Sequence, residues 1–221
     1  VDIGGATTDV HSICDGLPSE SGVIYHGLPE PHAKRTVEGD LGMRHTARHV
    51  VLEAGLESFA GDADISTDEV EALLARTDGD VEWLPKSDAE RRFDIALART
   101  ATRVSVTRHA GTIEAVYTAT GPVSVQRGKD LGEVETIIGT GGVLVHNDNP
   151  AAILDAALAG DEASLALRPR NAGLTLDDDY ILYACGLLRS VAPDVALELG
   201  LKALKPLTNH KELGNAATGP Q

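Results

Sequence analysis

Two short stretches of this 221-residue sequence carry residue types that could hold an anion. The first is VDIGGATTDV, Val1–Val10. Glycines at the end of a strand let backbone N–H groups approach a bulky oxyanion, because no Cβ intervenes. Gly4, Gly5 and Ala6 would supply such N–H groups, and Thr7 and Thr8 could add hydroxyl donors. A carboxylate at Asp2 suits Mg²⁺, which keeps several waters and takes one or two protein oxygens. The same residues could equally make a tight hairpin turn with no ligand. The second stretch is IIGTGG, Ile137–Gly142. Gly139, Thr140, Gly141 and Gly142 again follow an apolar strand, and a flat adenosine moiety could lie where side chains would otherwise block it. A plain strand-to-helix turn is the other reading. Neither stretch is a Walker loop, since no G-x-x-x-x-G-K-[ST] occurs. His45 and His49 stand four apart but lack the glutamate of an H-E-x-x-H zinc motif.

The pattern along the chain says what must position these turns. Val1–Ile3 and Thr7–Cys14 read as strands joined by the Gly4-Gly5-Ala6 turn, and Gly22–His26 reads as a third. A glycine- and proline-bearing loop follows, through Arg44. A helix begins near Met43, with Ala47, Val50, Val51 and Ala54 inward, and stops at Gly55. Ser66/Glu69 and Ser87/Glu90 are capping boxes, each predicting a helix start. The second of these helices is long, with Phe93, Leu97, Ala101 and Val104 as its buried stripe, and His109-Ala110-Gly111 ends it. Strands are predicted at Ile113–Tyr117, Val123–Gln126 and Val134–Ile138. Asn149-Pro150 opens a helix carrying Ile153, Leu154, Ala157 and Leu158. Another is predicted from about Asp178, with Ile181, Leu182, Cys185 and Leu188 inward, and a last one from Pro193. Residues 1–208 read as one α/β domain and 209–221 as a polar, frayed tail.

Composition excludes some partners. The chain has 34 acids against 19 bases, a net charge of −15, which repels nucleic acid and anionic membranes. Any anionic ligand therefore needs a local device such as a metal ion or a glycine turn. Aromatic residues are 3% of the chain, so the core must be built from Ala, Val, Leu and Ile. Cys14 and Cys185 are isolated and read as thiols of a reducing compartment. No apolar run approaches the roughly 18 residues of a membrane span. A soluble, cytoplasmic protein is expected.

Taken together, DIGGATTD and IGTGG resemble the second phosphate loop and the adenosine turn of the actin, sugar kinase and heat-shock cognate ATPase superfamily. The runs EPHAKRTVEGDLGMR, RHAGTIE and IIGTGGVLVHNDNPAAIL narrow the resemblance to the MutL-type accessory family of glutamate mutase, over Val1 to about Leu201. The resemblance implies an actin-like (ribonuclease H-like) lobe: a mixed sheet with an antiparallel hairpin first and helices on both faces. It implies the second lobe of a two-lobe ATPase, with the first lobe as a partner. It implies ATP and Mg²⁺ as cofactors, bound through Gly4–Thr8 and Gly139–Gly142, with the metal at Asp2. The implied role is ATP-dependent reactivation of an adenosylcobalamin-dependent mutase by exchange of damaged cobalamin. The rivals are a hydantoinase- or oxoprolinase-type ATP-dependent enzyme and an actin-like nucleotide-binding scaffold. The Lys34–Arg44 segment reads either as a phosphate-sensing loop or as a charged lead into the following helix. No catalytic residue is assigned.

Overall fold

The computed structural model describes residues 1–119, 121–160 and 164–207. The tail predicted from residue 209 lies outside the described residues. In chain order the elements are β1 (Asp2–Ile3), β2 (Thr8–Ile13), β3 (Ile24–Tyr25), β4 (Ala33–Glu38), α1 (Ala47–Ala54), α2 (Leu56–Ala63), α3 (Thr67–Gly79), α4 (Asp88–His109), β5 (Thr112–Thr118), β6 (Gly121–Arg127), β7 (Thr136–Gly139), α5 (Gly142–Val145), α6 (Pro150–Leu154), a 3-10 turn (Asp155–Ala157), β8 (Gly173–Asp177), α7 (Leu182–Leu188), α8 (Pro193–Ala203) and β9 (Leu204–Leu207).

The first strands are the antiparallel hairpin that the glycine turn predicts, with Asp2 opposite Asp9 and Ile3 opposite Thr8. β4 extends it along the far edge of β2, Thr8 facing Glu38 and Ile13 facing Ala33. On the near edge β1 meets β7 in parallel, through an Asp2–Thr140 bridge. Ile3 N–H donates to Thr140 O at 3.2 Å and Thr140 N–H to Val1 O at 2.9 Å. β7 pairs in parallel with β8, and β8 antiparallel with β9. The result is one mixed sheet in the order β4-β2-β1-β7-β8-β9. β5 and β6 form a separate hairpin with β3 along its edge.

The helices follow their sequence signals. Both capping boxes form, Ser66 with Glu69 and Ser87 with Glu90. α4 is 22 residues long and buries Phe93, Leu97, Ala101 and Val104 as its periodicity predicts. Phe59 and Trp83 stack edge-on against Phe93, with ring centroids at 5.6 and 6.5 Å. α4, α5 and α6 cover one face of the sheet, the side to which Ile3, Val10, Ile137 and Leu174 point, and α1 packs against α4.

Several expectations need correction. β4 lies inside the segment read as a loop, because its polar sequence AKRTVE has no apolar alternation. α2, β8 and β9 have no counterpart in the sequence reading. α7 starts at Leu182, not near Asp178, and buries no residue fully. Ile181, Leu182, Cys185 and Leu188 are half-buried, since among the described helices α7 packs chiefly against α8. Helices are also unevenly shared between the two faces. The face carrying Asp2, His11, Ile13 and Ile138 meets α7 only at one end, where Leu182 and Tyr183 approach it. Ile13 there is 69% exposed.

One core polar group ties α4 to the hairpin. The His109 ring, fully buried, sits 2.8 Å from Ser12 Oγ at Nε2 and 2.8 Å from Thr36 Oγ1 at Nδ1. Burial, helped by the Lys34 and Lys129 ammoniums, lowers its pKa to about 4. The folded imidazole is therefore neutral, while an unfolded one titrates near 6.5. The unfolded chain binds more protons between these values. The stabilisation is complete above about pH 6.5, shrinks as pH falls to about 4, and is constant below. The loss is up to about 3 kcal/mol on that shift. Denaturant unfolding at pH 4 and pH 7 should show it, and His109→Gln should flatten that interval.

Candidate functional site

β1 and β7 run parallel, so their C-terminal ends lie at the same edge of the sheet, and each ends in a glycine turn. The two predicted turns are thus neighbours. Gly4 N–H donates to Thr7 O at 2.9 Å, closing the first turn. Gly5 and Ala6 at its tip are exposed. Thr140 and Gly141 then cross beside Ile3, and Gly142 opens the short helix α5.

The glycines are there for different reasons. A Cβ on Gly139 would meet Leu154 at 2.5 Å, and one on Gly141 would meet Ile3 O at 2.4 Å, with φ at +109°. Core packing and the β1–β7 approach account for these two. A Cβ on Gly142 meets nothing within 4 Å, and one on Gly5 meets only Arg44 Cγ and Cβ, at 3.9 and 4.0 Å. No internal packing calls for these two, so the open backbone a ligand could approach is at Gly5-Ala6 and at Gly142.

The hydroxyls are similarly divided. Thr8 is fully buried and donates to Leu41 O at 2.6 Å, so it faces the helices instead of joining the other predicted donors. Thr7 donates to Asp9 Oδ2 at 3.1 Å. Thr140 donates to Asp177 Oδ2 at 3.0 Å. Asp177, fully buried at the end of β8, also accepts from Ile181 and Leu182 N–H at 3.1 Å each, and so ties the second turn to the start of α7. Asp177 stands on β8, a strand with no counterpart in the sequence reading.

Asp2 projects from β1 beside Asp9, whose carboxylate accepts from Arg35 Nε at 2.9 Å and Nη2 at 2.7 Å. The Asp2 side chain makes no hydrogen bond or ion pair with another described residue. Burial, and next the Asp9 charge opposite, raise its pKa above the ordinary carboxylate value. Tyr180, in the left-handed region at φ +52°, lines the same hollow as Asp2 and Thr140. Such a φ is uncommon for a bulky side chain. Among the described residues no group of three or more His, Cys, Asp and Glu converges as metal ligands. None of their helices is long and apolar enough to cross a membrane.

The Lys34–Arg44 segment supports the first turn from behind. Met43 N–H donates to Gly4 O at 3.0 Å, and Arg44 and His45 N–H to Gly5 O at 2.9 and 3.0 Å. A Cβ on Gly42 would meet the Ala6 carbonyl at 2.4 Å. The charges of this segment are paired internally: Glu38 and Asp40 with Arg108, and Arg44 with Asp94.

Fold and edge together define an α/β domain whose mixed sheet presents two glycine turns side by side at the ends of adjacent parallel strands. The chain belongs to the MutL protein family, whose sequence model matches residues 1–204. It is 45% identical over 204 residues to Protein MutL of Clostridium tetanomorphum. That match covers 92% of this chain and 44% of the relative, so the chain spans less than half the relative's length. No solved structure matches it.

Proposed function

We propose that this chain is a nucleotide-binding lobe of a MutL-type accessory protein of the glutamate mutase system, acting in ATP-dependent reactivation of an adenosylcobalamin-dependent mutase. The mutase partner follows from family membership and from the resemblance in the motifs above. The nucleotide reading is carried by one observation: the turns at Gly4–Thr7 and Thr140–Gly142 share one sheet edge, joined through Ile3 and Thr140. In α/β sheets ligands bind outside the carboxyl ends of strands. An actin-like lobe would place nucleotide at this edge, against a second lobe.

The residues present fit Mg-ATP. Gly5 and Ala6 offer exposed backbone N–H groups to phosphate, and the space beside Gly142 suits the adenosine. Asp2 would hold the metal through its waters, and a divalent cation would relieve the repulsion between Asp2 and Asp9. The bound metal would neutralise phosphate charge in a chain whose own net charge opposes it. The chain's own part is to fix the two turns relative to each other, which the Ile3–Thr140 ladder does.

The test is Asp2→Ala, titrated with Mg-ATP and with adenosine. Mg-ATP affinity should fall about tenfold or more, a loss of about 1.4 kcal/mol, with adenosine affinity unchanged. Equal losses of both would point to a disrupted strand and would count against the metal role.

A further inference from the structure

The sheet face that carries Asp2 and His11 also carries a forked cation. Arg35, on β4, stands opposite His11, and its side chain reaches along the strand to Asp9, toward the glycine-turn end. Nε and Nη2 both donate to the same oxygen, Asp9 Oδ1, at 2.9 and 2.7 Å. The Arg35 side chain is 60% exposed, and Nη1 makes no hydrogen bond with another described residue. The guanidinium is thus fixed along one side and keeps the Nη1 donors open to a ligand.

Asp9 sets where the fork stands. Its other oxygen, Oδ2, accepts from Thr7 Oγ1 at 3.1 Å, so Thr7, Asp9 and Arg35 form a chain from the first turn to the guanidinium. Other cations near this turn are engaged: Arg44 with Asp94, Lys34 with Glu30, and Arg108 with Glu38 and Asp40. His11 is neutral near pH 7, since burial and the Arg35 charge lower its pKa. Arg35 therefore supplies positive charge beside the turn in a chain of net charge −15. The order of strands assigns that charge to one end of a ligand. Across the sheet the order is β7, β1, β2, β4. The second turn follows β7, the first joins β1 to β2, and Arg35 stands on β4, beyond the first turn. A nucleotide with its adenosine beside Gly142 and its phosphates at Gly5-Ala6 runs toward Arg35 with the terminal phosphate foremost.

We infer that Arg35 is a specificity-determining residue that meets the terminal phosphate of a nucleoside triphosphate and so favours the triphosphate over the diphosphate. This rests on the nucleotide reading of the two turns and adds which phosphate the chain distinguishes. A guanidinium presents its donors in a plane that matches phosphate oxygens, and the bonds are charge-assisted. A diphosphate held at the same turns ends one phosphate short of the fork. A divalent cation at Asp2 would also draw on the Asp9 charge opposite, which leaves more of the Arg35 charge open to the phosphate.

The experiment titrates this chain and its Arg35→Gln variant with Mg-ATP and with Mg-ADP, following the Gly5 and Ala6 amide resonances and, in the parent, the Arg35 Nε–H resonance. The parent should bind Mg-ATP about fivefold more tightly than Mg-ADP, the scale of one exposed ionic contact. Its Arg35 Nε–H should move with Mg-ATP and stay in place with Mg-ADP. In Arg35→Gln the preference should vanish through loss of Mg-ATP affinity, with Mg-ADP affinity kept within about twofold. Gly5 and Ala6 amides that respond in Arg35→Gln with the preference intact would overturn this inference and leave the nucleotide reading standing. A parent that binds both nucleotides equally at the turns would do the same. Equal loss of both nucleotides in the variant would show Arg35 acting only through Asp9 on the turn, and would also overturn it. Amides at Gly5 and Ala6 that respond to neither nucleotide in the parent would remove the nucleotide reading itself, and this inference with it.

Discussion

Gly141→Ala should melt about 6–12 °C below the parent chain, the shift expected for a loss of about 3 kcal/mol in a domain of this size. The added Cβ would lie 2.4 Å from Ile3 O, and the backbone it must adopt has φ +109°. The obstacle is backbone, which cannot rotate aside as a side-chain tip could, so β1 and β7 must separate. That separation breaks the Ile3–Thr140 and Thr140–Val1 hydrogen bonds that hold the two turns together. Gly142→Ala is the matching control. Its Cβ meets nothing within 4 Å, so the melting temperature should hardly move. Thermal unfolding of the two variants side by side checks this, and equal effects would contradict the described junction.

Arg44→Ala should cost about 3–5 kcal/mol, the range for breaking a buried ion pair from one side. Arg44 and Asp94 are 11% and 8% exposed in their side chains and meet through two hydrogen bonds, at 2.9 and 2.7 Å. The guanidinium also donates to Trp83 O at 3.1 Å and lies over the Trp83 ring at 5.2 Å. Removing it leaves a carboxylate whose burial already raises its pKa. The penalty belongs to the orphaned charge more than to the lost attraction. Arg44→Met combined with Asp94→Leu should therefore recover most of the stability. Denaturant midpoints of the two variants make the comparison.

How much of this was legible in the sequence depended on whether the signal was local. The capping boxes at Ser66 and Ser87, the apolar stripe of α4 and the hairpin around Gly4-Gly5 are written in neighbouring residues, and all are found. β4 escaped because its side chains alternate between half-buried and exposed positions, with none fully buried. β8 and β9 are short strands whose place is fixed by partners far along the chain, which no local pattern records. The same limit applied at the candidate site. The glycines announced both turns, but not that Gly139 and Gly141 answer to core packing while Gly5 and Gly142 face open space. Thr8 looked like a donor beside Thr7, yet strand alternation sends it to Leu41 O. Asp177 and Arg35 stand on strands absent from the sequence reading, so their contacts with Thr140 and Asp9 could not be foreseen. The Lys34–Arg44 segment matches the reading as a charged lead into the following helix, and it also contains β4. Its charges are paired inside the fold, and its backbone supports the glycine turn.

The claim that the two turns form one nucleotide edge is tested most directly by titrating this chain with Mg-ATP while following backbone amide shifts. The net charge of −15 opposes a polyanion, and an edge open to water on one side weakens each polar contact. Binding to the chain alone should therefore be weak, half-saturating near about 1 mM, or about 4 kcal/mol. Shifts should concentrate at Gly4–Thr7 and at Thr140–Val143 and rise together with a single midpoint. Shifts at only one turn, or none at either turn at about ten times that concentration, would contradict it.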